Sequence, residues 1–402
     1  MIYELSNGMR VAVRQHSGNV AYCGVLVNAG SRDEPSSLPG LAHFVEHTVF
    51  KGTEHRSSWH ISNRMESVGG EINAYTFKEG TSVYTIAPSG YEKRGVELIA
   101  DLVSNPSFPA PELDKEREVI IEEINSYLDN PAESVFDGFE ENIYSGSALA
   151  HNILGSPESV REISGEDCRN WIKRFYNPVN MVGFIATPAD PDRMVRLLEK
   201  YWGCIERSPE LPERQEPPAI DRFDIVRDED GHQAHTIVGC RMFSRNDPRR
   251  FALMLLNNYL GGPCMNSRLN QQLREKRGLV YTVDSFVNLL SDTGTMAIYF
   301  GTDRKSVDRC LRIIHNELDT LADKKFTSRQ LDKIKEQYCG QLLVSSDNRE
   351  SMAMSLGKNL MYFNKMTDIP ALAERLRKVE AEEIRMVAEL MGPSSCSRIT
   401  YM

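Results

Sequence analysis

The feature that most constrains this chain is a repeat. Phe108 opens Phe-Pro-Ala-Pro-Glu-Leu-Asp-Lys-Glu-Arg-Glu, and Phe326 opens Phe-Thr-Ser-Arg-Gln-Leu-Asp-Lys-Ile-Lys-Glu. At one constant offset Leu113 meets Leu331, Asp114 meets Asp332, Lys115 meets Lys333 and Glu118 meets Glu336. Asp129-Asn130 then meets Asp347-Asn348 without a change of register. At a slightly different offset, the apolar stretch before Lys51-Gly52 overlays the one before Gly261-Gly262. A shared register over this distance predicts a duplicated unit. The chain therefore reads as two homologous domains, 1–205 and 222–402. The linker between them, 206–221, carries Pro209, Pro212, Pro217 and Pro218 among charged residues.

Each half mixes period-2 stretches with amphipathic ones. Val11–Val13, Gly24–Val27 and Val83–Ala87 read as strands, as do Thr236–Val238, Tyr281–Phe286 and Thr295–Tyr299. Helical spacing marks 41–50, 59–68, 91–104 and 111–129, then 249–260, 266–276, 304–321 and 328–344. The interleaving is not a strict strand–helix–strand alternation. The expected class is α+β, each domain a mixed or antiparallel sheet with helices packed on one face.

Composition narrows the function. A net charge of −10 argues against nucleic-acid recognition, which usually needs a basic surplus. No apolar run reaches the length of a membrane span, so no membrane partner is expected. The first residues show no secretion signal, and the 8 scattered cysteines include no Cys-x-x-Cys pair. Reduced thiols and a cytoplasmic location are the expectation.

One helical stretch carries chemistry. In His43-Phe44-Val45-Glu46-His47 the two histidines stand at i and i+4, so both imidazoles can reach one ion. Glu46 shares that face and can contact a metal-bound water. A surface helix with two solvated histidines would show the same pentapeptide. Catalytic zinc generally takes three protein ligands, so a third is needed from a neighbouring element. The helix beginning near Pro111 offers Glu116, Glu118, Glu122 and Glu123, of which Glu116 and Glu123 stand two turns apart on one face with Val119 and Ile120 between them. Spacing alone does not choose between these two.

Three stretches together resemble the pitrilysin and mitochondrial-processing-peptidase family: Gly-Leu-Ala-His-Phe-Val-Glu-His, then Gly69-Gly70-Glu71-Ile72-Asn73-Ala74-Tyr75-Thr76, then Glu116-Arg117-Glu118-Val119-Ile120-Ile121-Glu122-Glu123. The His-x-x-Glu-His order is the inverted zinc-peptidase motif. The resemblance implies one Zn2+ per subunit held by His43, His47 and Glu123, with Glu116 orienting a ligand and Glu46 as general base. It makes Asn73, Ala74 and Tyr75 part of a strand on which substrate lies. In the second half, Leu253, Leu256, Asn257 and Gln341 overlay His43, Glu46, His47 and Glu123, so no metal chemistry is expected there. That half carries Arg274 and Tyr281, which the resemblance makes donors that complete the active site. The chain matches half of the family's long single-chain members, which implies a homodimer enclosing a chamber. The expected activity is zinc-dependent hydrolysis of peptides or unfolded segments. The alternative is a catalytically silent binding or scaffold subunit.

Overall fold

Each stretch read from sequence as a strand lies within a strand of the computed structural model, which describes residues 1–207, 211, 213–229 and 232–402. Ser208, Pro209, Glu210 and Pro212 of the expected linker lie outside the described residues. The described chain divides into two compact units that are not contiguous in sequence. The first contains Met1–Asn125, His151–Arg214 and Ser346–Thr367; the second contains Ser126–Ala150, Gln215–Ser345 and Asp368–Met402.

The first unit is built on a six-stranded sheet of β1 (Ile2–Glu4), β2 (Arg10–Gln15), β3 (Val20–Val27), β4 (Glu71–Phe77), β5 (Gly80–Pro88) and β6 (Met181–Thr187). Their order is β1-β2-β6-β3-β5-β4, with β2 and β6 parallel and the other pairs antiparallel. The second unit has β7 (Asp224–Arg227), β8 (Gln233–Met242), β9 (Val280–Leu289), β10 (Gly294–Asp303) and β11 (Ser397–Tyr401), ordered β7-β11-β8-β10-β9. Here β7 and β11 are parallel and the other pairs antiparallel. Leaving β1 aside, the two sheets share one order and one pattern of strand direction, as a duplication requires. In each, a hairpin strand (β4 or β9) forms a free edge.

The main core of the first unit gathers Val25, Phe44, Ile61, Leu98, Ile120 and Trp202 between the sheet and its helices. The opposite face of the same sheet is covered by a helix from far along the chain. Arg349–Phe363 lays Ala353, Leu356 and Leu360, at i, i+3 and i+7, against Leu26, Val182 and Phe184. Its counterpart, Pro131–Ile143, lays Val135, Phe139 and Ile143 against Ile237, Ala297 and Ile399 of the second sheet. Each of these helices thus belongs to the unit whose sheet comes from the other half of the sequence. The duplicated Asp-Asn marks where both begin: the Asn130 side chain accepts from Ala132 N–H, and Asn348 accepts from Ser351 N–H.

Two local readings change. The helix expected over 266–276 is a short, wide-wound turn of helix at Asn270–Glu275. The chain after Pro263 is spent on a turn instead, closed by Ser267 N–H donating to the Cys264 carbonyl. Val119, expected on the buried face with Ile120, is 52% exposed. It sits about 60° round the helix from Glu116, on the side away from Leu113, Ile120 and Ile124. The 8 cysteines are free thiols, and no helix among the described residues is long and apolar enough to cross a membrane.

Candidate metal centre

The helix Leu41–Thr48 is buried along almost its whole length, so its entry must satisfy backbone donors away from water. Gly40 precedes it at φ +92°, in the left-handed region, where an added Cβ would stand 2.6 Å from the Leu154 carbonyl oxygen. The free N–H groups of Gly40 and Ala42 donate to the two oxygens of buried Glu34 at 2.8 and 2.7 Å. Burial pushes the Glu34 carboxyl well above its ordinary range, against the pull of those two N–H donors. Glu34 was not singled out from sequence, because nothing local ties an acid six residues upstream to this cap.

The helix then presents His43 and His47, whose rings lie 4.4 Å apart between centroids. Glu123 projects toward both from the helix Ala110–Leu128: its Oε2 is 3.9 Å from His43 Nε2 and 3.7 Å from His47 Nε2. Ligand atoms of these three residues all lie within 4.8 Å of one another, and they form the one such metal-competent group among the described residues. The separations are too long for hydrogen bonds. They suit donors around a common ion, since atoms each about 2.1 Å from one zinc in tetrahedral array stand roughly 3.4 Å apart. Two imidazoles and a carboxylate are also the donor chemistry zinc prefers.

Glu116, one heptad before Glu123, points elsewhere. Its Oε1 is 2.9 Å from His47 Nδ1, and its Oε2 is 2.6 Å from Lys51 Nζ. A proton on Nδ1 held by Glu116 leaves the His47 Nε2 lone pair free for a metal. Burial raises the Glu116 pKa, but His47 and Lys51 outweigh it and hold the carboxyl below its ordinary value. Lys51 is legible in the sequence only as a continuation of the His43, His47 stripe by four more residues.

Glu46 is buried on the same helix, and its Oε2 accepts from Thr76 Oγ1 on β4 at 2.7 Å. Burial raises its pKa, while Thr76 and His47 pull the other way without cancelling it. His47 shows the reverse balance. Burial lowers its pKa, but the Glu116 hydrogen bond and the charges of Glu46 and Glu123 leave it above the usual value. Burial brings His43 down to about 3, with His47 adding to the effect. A neutral imidazole at His43 and a carboxylate base of raised pKa at Glu46 suit metal binding and proton transfer respectively.

The strand residues Asn73, Ala74 and Tyr75 are half-buried on the free edge strand β4. Asn73 Nδ2 donates to Glu71 Oε2 at 3.1 Å. Arg274 and Tyr281 belong to the second unit. Both are exposed, Tyr281 at 57%, and the tyrosine hydroxyl donates to Asp303 Oδ1 at 3.1 Å. Where the first unit carries the His43, Glu46, His47 helix, the second has Leu253 and Leu256 fully buried in its core. Gln341 Nε2 contacts Cys264 Sγ at 3.0 Å.

Residues 10–157 match the family model described as insulinase (peptidase family M16), and residues 162–338 match the peptidase M16 inactive domain. An uncharacterized zinc protease of Bacillus subtilis, YmxG, is 30% identical over 387 residues, covering 96% of this chain and 94% of that protein. The mitochondrial-processing peptidase subunit beta of Mus musculus is 29% identical over 397 residues, covering 95% of this chain and 80% of its own length. Among solved structures, a protease from Helicobacter pylori superposes with a TM-score of 0.93 at 19% identity, covering 100% of this chain and 99% of its own. A peptidase M16 inactive domain from Pseudomonas fluorescens superposes with a TM-score of 0.92 at 18% identity, covering 100% and 97%. At those identities the structural matches speak for the fold alone.

Proposed function

The chain belongs to peptidase family M16, and from that premise we propose that it is a zinc metalloendopeptidase hydrolysing peptides or unfolded segments. The observation that carries the proposal is the convergence of His43, His47 and Glu123, with Glu46 beside them on the same helix. These three would hold the ion, and Glu116 would orient His47. When bound, zinc supplies Lewis acidity, which acidifies water and polarises a carbonyl. Glu46 takes a proton from the attacking water at its carboxylate and returns it to the leaving amine. Its raised pKa suits both halves of that transfer, and the Thr76 hydroxyl keeps the carboxylate aimed. A silent scaffold subunit would have no need for this intact set.

Substrate lies along the free edge of β4 at Asn73, Ala74 and Tyr75, held mainly by main-chain hydrogen bonds. Such a grip reads extended backbone and tolerates many sequences. Arg274 and Tyr281 of a second copy donate hydrogen bonds to the oxyanion and to the substrate carbonyl. The working form is a homodimer in the cytoplasm, with a chamber between its copies. Folded domains are excluded because they offer no free extended segment.

Digestion of one test protein, native and unfolded, checks this reading. Mass spectrometry should find multiple internal cleavages in the unfolded form and few or none in the native form. Equal cleavage of both would remove the requirement for an extended segment, and cleavage only at chain ends would make the enzyme an exopeptidase.

A further inference from the structure

Strand β4 has two faces with different neighbours. Thr76 points to Glu46, and Ile72 and Ala74 pack toward the main core with it. Tyr75 and Phe77 alternate to the opposite face, their rings 5.9 Å apart. There the helix Arg349–Phe363 passes beside them. A cavity of about 430 Å³ opens between helix and strand, lined by Tyr75, Glu350, Ser351, Met354, Ser355 and Lys358. All of these residues lie within the first unit.

Lys358 decides the chemistry of this cavity. Its Nζ stands 5.4 Å from the centre of the Tyr75 ring and 5.3 Å from that of Phe77. Among the described residues it makes no hydrogen bond and no ion pair. Two aromatic faces hold the ammonium in place without neutralising it. Glu350, the acid that also lines the cavity, is two turns away on the helix, roughly 12 Å. It lies beside Tyr84, whose hydroxyl it accepts at 3.5 Å, and Tyr84 pairs with Asn73. The cation therefore sits at the Tyr75–Phe77 end of β4 and the anion at the Asn73 end.

A peptide added to the β4 edge alternates in step with it, because residues directly opposite on paired strands share a face. The side chain opposite Thr76 points toward Glu46. Its neighbours, opposite Tyr75 and Phe77, point over the aromatic pair and under Lys358. We propose that this cavity is a specificity subsite for an acidic side chain, read by Lys358, immediately next to the substrate residue that faces Glu46. The carboxylate of Asp or Glu meets the ammonium, while the methylenes of Glu lie against Tyr75 and Met354. The inference rests on the substrate strand lying along β4, as proposed above.

The test is a binding measurement that does not depend on turnover. Full-length, zinc-loaded Glu46→Gln protein is titrated with fluorescent peptides of one extended apolar sequence, carrying Glu or Lys at each position in turn. At one position Glu should bind about fivefold tighter than Lys, the size of a partly exposed ion pair. Lys358→Glu in the same background should reverse that preference, and Lys358→Met should erase it. Preferences at the two flanking positions should stay unchanged. A preference that survives Lys358→Glu, no charge preference at any position, or no peptide binding at all would each overturn the subsite. The peptidase reading is judged separately, by hydrolysis with the unsubstituted chain.

Discussion

Glu46→Gln should abolish peptide hydrolysis, by roughly the 100- to 10,000-fold that general acid–base catalysis contributes, while zinc content stays unchanged. The substitution keeps the shape of the side chain and its acceptor oxygen for Thr76, whose hydroxyl is 2.7 Å away. It removes only the ability to carry a proton. Glu46 is not among the three residues whose donor atoms converge, so metal affinity should not follow activity downward. Metal analysis and turnover on the same sample check this. Near-normal turnover in a zinc-replete Glu46→Gln sample would take Glu46 out of the mechanism.

Tyr281→Phe should cost roughly 100- to 1,000-fold in kcat, the usual loss for one oxyanion donor, and the loss should be recoverable by mixing. Tyr281 and Glu46 belong to different units of the chain, and the proposed homodimer brings Tyr281 of one copy to the zinc of the other. In a mixed dimer of Glu46→Gln and Tyr281→Phe chains, one site takes its zinc and Glu46 from the Tyr281→Phe chain. The same site takes Tyr281 from the Glu46→Gln chain, and it is whole. Equal mixing makes about half the dimers mixed, each with one whole site, so about a quarter of the unsubstituted activity should return. If both groups served a site within their own chain, every site would keep one lesion and nothing would return. Absence of recovery, with subunit exchange verified independently, would place Tyr281 outside the partner's site.

The parts of this molecule written locally in the sequence were legible there. The His43, Glu46, His47 face follows from helical period alone. The repeat from Phe108 and Phe326 foretold two sheets, which proved alike in strand order and direction. The choice between Glu116 and Glu123 was not legible from spacing, since both project from nearly the same side of one helix. Structure separates them by what each meets: Lys51 and His47 Nδ1 at Glu116, both imidazole Nε2 atoms at Glu123. The placement of helices Pro131–Ile143 and Arg349–Phe363 was not legible either. An amphipathic stripe states that a helix needs an apolar surface and not which of two similar sheets supplies it. Thr76 and Glu34 were missed for a related reason, because each acts across a gap in sequence on a group that only folding brings near.

The most direct test is to strip the chain of metal and follow peptide hydrolysis as zinc is returned. Activity should start near zero, rise linearly and break at one zinc per chain. Glu123→Gln should need far more zinc to reach any activity, whereas exposed Glu118→Gln should titrate like the parent. Undiminished hydrolysis by the metal-free chain, or an inert chain at full zinc occupancy, would contradict the account.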